Sequence, residues 1–275
     1  MIVFCTFSHQ RTTCTRKNLP KGSKMSRVLV IPDSHLKTDV IERGRRLADK
    51  KMAAKIILLG DYFDDWYCID ADYDRMLKYL KDLLRRDPRV IPLLGNHELS
   101  YLGYKCAGFN PRIAYKIYDG LIRDYRFAFC YAEDGVLYSH AGVTTQWLWA
   151  NNVCTANDIR LRMTKKGGAE IIERGLCRID GYPRRTENLA PFAMVGNARG
   201  GNGSASPLWA DLTELIADPI AIKQVVGHTP VKQIENIGRC WFTDVYSNGN
   251  VSDEYLFVKD GEPEVLHYNE EFPNE

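Results

Sequence analysis

The 275-residue chain has eight cysteines, Cys5, Cys14, Cys68, Cys106, Cys130, Cys154, Cys177 and Cys240, but no two stand in C-x-x-C spacing. That excludes a zinc ribbon or a dithiol redox motif. In a chain of this size such scattered thiols are expected to be reduced, mostly buried and cytoplasmic. Long apolar runs are missing too. None approaches the ~20 residues that span a bilayer, so no membrane partner is expected. The opening "MIVFCTFSHQRTTC" has neither the basic n-region nor the long apolar h-region of a signal peptide. Net charge is only +2, which gives no bulk attraction to nucleic acid or an acidic surface; such a partner would need a local patch. There is no internal repeat, linker or low-complexity tract. The glycine-rich "GNARGGNGSASP" does not meet the G-x-G-x-x-G spacing of a dinucleotide fingerprint.

What remains is ordinary globular composition, 45% apolar and 26% charged, in a chain long enough to bury a sizeable core. Residues 1–24 are basic and aperiodic, and a clean strand pattern starts only at "MSRVLVIPDSH". The folded domain is therefore expected to run over 25–275, with 1–24 a disordered or non-native extension. "RVLVIPDSH", "KIILLGD" and "RVIPLLGNHE" are short apolar runs of the kind that buried parallel strands show. Between them, Asp39 as N-cap with Glu42 predicts a helix to about Ala54. Met76, Leu77, Leu80, Leu83 and Leu84 share the apolar face of a second helix, closed by Pro88. Alternating strands and helices make this an α/β fold with a parallel start.

Further along, "NPRIAYKIYDGLIRDY" predicts a helix with Asn110 as N-cap and Pro111 at its first position. "FAFCYAEDGVLYSHAG" predicts two strands joined by a turn at Glu133–Gly135. Residues 155–175 are expected to be helical and 181–206 loop-rich. "KQVVGHTP", "RCWFTDV" and the hairpin "YLFVKDGEPEVLHY" return to β structure. One domain is expected, with insertions at about 100–130 and 145–210.

Ligands of parallel α/β folds gather beyond the carboxyl ends of the strands, and here those ends are polar. They carry Asp33-Ser34-His35, the segment Asp61 to Asp64, Asn96-His97-Glu98, Ser139-His140 and Gly227-His228-Thr229. Four of the six histidines fall in these clusters; His9 and His267 do not. Asp61, Asp64 and Asp65 within five positions repel one another unless something positive sits between them. Mixed Asp, His and Asn donors suit Mn, Fe or Zn at a pair of metal positions.

The series "DSH", "GDYFD", "GNHE", "SHAG" and "GHTP", spanning residues 33–230, resembles the calcineurin-type metallophosphoesterase superfamily. "SHAGVTTQW" and "PLWAD" are similar to segments of its phosphoprotein-phosphatase and symmetrical diadenosine tetraphosphatase branch, though Thr145 stands where that branch has proline. The resemblance implies a four-layer α-β-β-α sandwich with a dimetal site at its edge. It implies two divalent ions, Mn²⁺ first and Fe, Zn or Ni as alternatives. Asp33, His35 and Asp61 would hold one; Asp61 would bridge to the other, completed by Asn96, His140 and His228. His97 would be the general acid, oriented by Asp64.

The chain departs from that pattern in one place. Where these phosphatases write G-D-x-x-D-R-G, with an arginine that grips phosphate, Asp65 and Trp66 stand instead. Arg199, on the glycine-rich loop, is the candidate replacement. Asp211 is expected to be architectural. Trp66, Trp147, Trp149 and Trp209 are candidates for a cleft lining, although packing is the commoner role of tryptophan. The expected activity is hydrolysis of a phosphomonoester, borne by a small molecule, nucleotide or phosphoprotein. Phosphodiesterase, nuclease and dinucleoside-polyphosphate hydrolase chemistry use the same core, and a non-catalytic scaffold is the remaining alternative. Thr229-Pro230, where many diesterases carry a second histidine, favours the monoester.

Overall fold

The computed structural model describes residues 26–104, 108–125, 127–153, 168–180 and 189–274. The expected extension at 1–24 lies outside them. Two five-stranded mixed sheets form the centre. In the first the order is β10-β9-β1-β2-β3, made of β1 (Arg27–Ile31), β2 (Lys55–Leu58), β3 (Val90–Pro92), β9 (Glu254–Lys259) and β10 (Glu262–His267). In the second it is β4-β5-β6-β8-β7, made of β4 (Cys130–Glu133), β5 (Val136–Ser139), β6 (Lys223–Val226), β7 (Glu235–Ile237) and β8 (Cys240–Phe242). β1, β2 and β3 run parallel, as do β5, β6 and β8; the outer strands pair antiparallel.

The parallel strands are buried on both faces, which is why they are written as unbroken apolar runs. Val28, Leu29, Val30 and Ile31 have no exposed surface, and each such side chain contributes about 1.5–3 kcal/mol of burial. Helix α1 (Thr38–Lys50) covers β1 with Val40, Ile41 and Leu47, and α2 (Asp70–Arg86) buries Met76, Leu77, Leu80 and Leu83. On the second sheet α7 (Gly168–Asp180) packs against β4 and β5. This is the expected helix-flanked sandwich. Among the described residues no helix is long and apolar enough to cross a membrane. The turns of the β4–β5 and β9–β10 hairpins use Asp134-Gly135 and Asp260-Gly261, all four with positive φ, matching the twist of the strands they join.

Three expectations need correction. Asp39 is not the N-cap of α1: that position is Lys37, and Asp39 sits in the first turn, where its charge still suits the helix dipole. The helix also stops at Lys50, because Met52 turns left-handed (φ 51°) and Ala53 N–H closes on the Ala48 carbonyl. Asn110 does not start an α-helix either. Its side chain accepts from Arg112 N–H in a local turn, and helix begins only at α4 (Ala114–Ile117). That helix then widens into a π-turn (Tyr118–Ile122) before α5 (Arg123–Tyr125). Of the helix expected over 155–175, only the part inside α7 falls among the described residues.

Candidate active site

All five polar clusters follow carboxyl ends of parallel strands and meet at one edge of the sandwich. Asp33 and His35 follow β1, Asp61 and Asp64 follow β2, His140 follows β5 and His228 follows β6. Asn96 and His97 open α3 (Asn96–Tyr101) just beyond β3, with Gly95 as its N-cap. His35, Asp61, Asp64 and His228 all hold positive φ (37°, 49°, 66° and 64°). Non-glycine residues avoid that region at a cost of about 1–3 kcal/mol each, and such strain collects at functional sites.

Two glycines of the motifs make room for carboxylates. A Cβ on Gly95 would lie 2.0 Å from Asp61 Oδ1, and one on Gly227 would lie 2.1 Å from Asp33 Oδ1. The backbone also orients the acids: His97 N–H donates to Asp61 Oδ1 (3.1 Å) and His228 N–H donates to Asp33 Oδ2 (2.9 Å).

Asp61 is the common vertex. Its Oδ2 lies 3.9 Å from His35 Nε2, 3.9 Å from His97 Nε2 and 3.4 Å from His140 Nε2. The donor atoms form two clusters that share it, His35–Asp61–His97 and Asp61–His140–His228, each drawn within 4.8 Å. Asn96 joins the second, its Oδ1 standing 2.8 Å from His140 Nε2, which is also 3.1 Å from His228 Nδ1. Asp33 belongs to neither tight cluster but is buried beside both.

Hydrogen bonds on the far sides of the rings fix the tautomers. His35 Nδ1 donates to the Asp64 carbonyl (2.8 Å) and His140 Nδ1 to the Leu59 carbonyl (3.0 Å). Each therefore turns its Nε2 toward Asp61, as a metal-ligating imidazole does. Burial holds His140 below its usual pKa, and burial with the neighbouring His140 holds His228 far below. His140 Nε2, His228 Nδ1 and Asn96 Oδ1 thus crowd together beside Asp61 Oδ2. Asp33 Oδ1, His228 Nε2 and Asp244 Oδ2 are buried without a hydrogen-bond partner. Crowded lone pairs and orphaned buried acceptors fit divalent cations, and O/N donors of this kind suit a borderline-hard metal.

The carboxyl groups respond to the same crowding. Burial, with Asp244 and Asp61 nearby, drives Asp33 well above the usual carboxylate range. Burial works the same way on Asp61 but is outweighed by His140, His97, His35 and His228, so its carboxyl is held low. His97 is pushed up to about 9 despite burial, by Asp61 and by its bond to Asp64. Asp64 Oδ2 meets His97 Nδ1 at 3.3 Å, while its Oδ1 accepts from the hydroxyls of Tyr73 (2.6 Å) and Tyr101 (2.8 Å).

In front of these groups lies a cavity of about 470 Å³. His35, Asp61, Asp64, Asn96, His97, His228 and Arg199 all line it. Arg199 is held by Asp211 (Nε to Oδ2, 3.0 Å) and Thr229 Oγ1 (3.2 Å), and Asp211 also caps α8 (Leu212–Ala217). Of the four candidate tryptophans, Trp66 and Trp209 line the cavity, while on α6 (Thr145–Ala150) Trp147 is core and Trp149 is half exposed.

Four groups were missed by sequence reasoning. Glu98 is fully buried, and its two oxygens accept from the backbone N–H groups of Asp61, Tyr62 and Gly95 (2.8, 2.9 and 2.9 Å). Its place three residues past the N-cap glycine was the available signal. Asp244, buried beside Asp33, and Lys37, whose Nζ donates to the Tyr246 carbonyl (2.6 Å), also line the cavity. The Tyr73–Tyr101 pair under Asp64 carries no local signature.

The family model for calcineurin-like phosphoesterases matches residues 26–270. The chain belongs to that family. As a calcineurin-like phosphoesterase it is a metal-dependent hydrolase of phosphoester bonds, and the two clusters around Asp61 are candidate ligands for the family's metal pair. No curated protein sequence matches the chain. Among solved structures, the fold is similar to a mutant of a cold-active protein tyrosine phosphatase, at 19% identity and TM-score 0.52, over 88% of this chain and 80% of that one. The cold-active protein-tyrosine phosphatase of a psychrophilic Shewanella species matches at 19% identity and TM-score 0.49, with the same coverage. A metallophosphoesterase from Sphaerobacter thermophilus matches at 13% identity and TM-score 0.40, over 88% of this chain and 87% of that one.

Proposed function

We propose that this phosphoesterase is a dimetal phosphomonoesterase in which His97 is the general acid. The observation that carries the reading is Asp61, whose one carboxylate serves two donor clusters, while His97, grouped by distance with the first, has its far nitrogen on Asp64. Asp33, His35 and Asp61 hold one ion; Asp61, Asn96, His140 and His228 hold the other. Mn²⁺ is the favoured ion for these donors, with Fe, Zn or Ni as alternatives. A bound metal pair supplies an activated water at neutral pH and shields charge on the phosphoryl oxygens.

The chain's own groups do the rest. His97 Nδ1 is engaged by Asp64, so Nε2 is the nitrogen turned toward Asp61 and the reacting centre. From there it delivers a proton to the departing alkoxide, which matters most when that alkoxide is a poor leaving group. Arg199 and Lys37 bring positive charge to the cavity and hold the non-reacting phosphate oxygens. Asp211 and Thr229 fix the guanidinium plane, doing for Arg199 what a packed shell does for any preorganised cation.

The test compares p-nitrophenyl phosphate with bis-p-nitrophenyl phosphate after chelation and return of Mn²⁺. Preference for the monoester supports the reading. Preference for the diester overturns the monoester assignment. Rates on both equal to those of Asp61→Asn overturn the catalytic reading altogether.

A further inference from the structure

The loop after Asp64 carries two large aromatic side chains that the protein does not bury. Trp66 is 83% exposed and Tyr67 is 100% exposed, and Trp66 lines the active-site cavity. They follow Asp65, which stands where the resembled phosphatases write an arginine. The loop is tied down on both sides of them. Asp64 is fixed by the hydroxyls of Tyr73 and Tyr101, the Cys68 thiol reaches the same Tyr73 hydroxyl (3.3 Å), and Trp66 N–H donates to Asp65 Oδ1 (2.7 Å). The main chain that carries the indole is therefore held in place, and the indole itself is presented to the cavity.

Consecutive residues lie ~3.8 Å apart, so the Trp66 Cα is at most about 7 Å from that of Asp64. The cavity continues the theme with Trp209 and Pro230 on its wall, and it sets Lys37 and Arg199 where the anionic end of a substrate would go. An aromatic ring over an indole face gains stacking that an aliphatic alcohol cannot.

Resting on the monoesterase reading, we propose that Trp66 is a stacking subsite for a planar ring in the leaving group. The substrate class is then a phosphate monoester whose alcohol is an aryl group or a nucleoside. Aliphatic and simple sugar phosphates make the same contacts at the metal end and none at Trp66.

The experiment uses the full chain loaded with Mn²⁺ and two pairs of probes, each matched at the phosphate. Adenosine 5′-monophosphate is set against ribose 5-phosphate, and a phosphotyrosine peptide against the same peptide with phosphoserine. For each probe, kcat/KM of Trp66→Ala is divided by that of the wild type, which cancels leaving-group reactivity; Trp66→Phe is the rescue variant. The proposal expects a loss of about tenfold or more on a ring-bearing probe, less than about twofold on its ringless partner, and recovery with Trp66→Phe. A loss confined to the nucleotide assigns a nucleoside, and one confined to phosphotyrosine assigns an aryl group. Equal ratios within both pairs overturn the subsite and leave the monoesterase reading standing. Should no probe be hydrolysed, that reading fails, and calorimetric binding of the same probes decides the subsite: tighter binding of the ring-bearing member, lost in Trp66→Ala, supports it, and equal binding overturns it.

Discussion

Asp64 holds two of the histidines around Asp61, His35 and His97. Its main-chain carbonyl accepts from His35 Nδ1 at 2.8 Å, and its carboxylate meets His97 Nδ1 at 3.3 Å. One residue thus sets a metal-facing ring and the ring proposed as acid, and it is set in turn by two tyrosine hydroxyls.

Replacing Asp64 with Asn should separate those two duties. The main-chain bond to His35 survives, so metal content should stay at the wild-type level, while His97 loses its anionic partner. Activity on an alkyl phosphate should fall by about 10- to 100-fold, as for other lost partners of an active-site histidine. Metal analysis alongside alkyl phosphate kinetics reads both. A joint loss of metal and activity would show that Asp64 supports the site as a whole instead.

His97→Ala should cost about 10²–10⁴-fold on alkyl phosphates, the usual contribution of general acid catalysis. On p-nitrophenyl phosphate the loss should be much smaller, because that phenolate leaves without help. A plot of rate against leaving-group pKa should steepen in the variant. Parallel plots would remove the acid role and leave His97 as a structural neighbour of Asp61.

Glu98→Gln probes architecture rather than chemistry. Both carboxylate oxygens accept from buried N–H groups, so an amide must turn its NH₂ on at least one of them. Leaving a buried donor unmatched costs about 1–3 kcal/mol, enough to lower Tm by several degrees in a chain of this size. Thermal unfolding monitored by circular dichroism checks this, and an unchanged Tm would mean that the strained backbone at Asp61 is held by something else.

Arg199→Ala should raise KM for phosphate monoesters with a smaller effect on kcat, since the proposed role has the guanidinium contact the non-reacting oxygens in ground and transition states alike. Arg199→Lys should restore little, because a point charge cannot reproduce a planar fork. Kinetics showing an unchanged KM in both variants would transfer the phosphate grip to Lys37.

Much of this site was legible in the sequence because each motif encodes its own local geometry. The "GNHE" and "GHT" stretches combine a strand end, a glycine that admits a carboxylate, and the donor itself within a few residues; in "GD" the glycine admits the Gly95 backbone instead. The Asp134-Gly135 and Asp260-Gly261 turns are visible for the same reason. Asp244 and Lys37 were not, because what makes them part of the site is a meeting of distant segments: Lys37 bonds the carbonyl of Tyr246, far along the chain. Tyr73 and Tyr101 look like helix packing residues until Asp64 is seen beneath their hydroxyls. The helix boundaries missed at Asp39 and Asn110 fail differently. Both residues carry a plausible capping side chain, and tertiary packing placed the first turn elsewhere.

The most direct measurement is the metal content and coupling of the Mn²⁺-reconstituted protein, by elemental analysis and electron paramagnetic resonance. A centre that shares Asp61 predicts two ions per chain with a spin-coupled signal, and loss of both the second ion and the coupling in Asp61→Asn. A single ion in the wild type, or two uncoupled ions unaffected by Asp61→Asn, would contradict it.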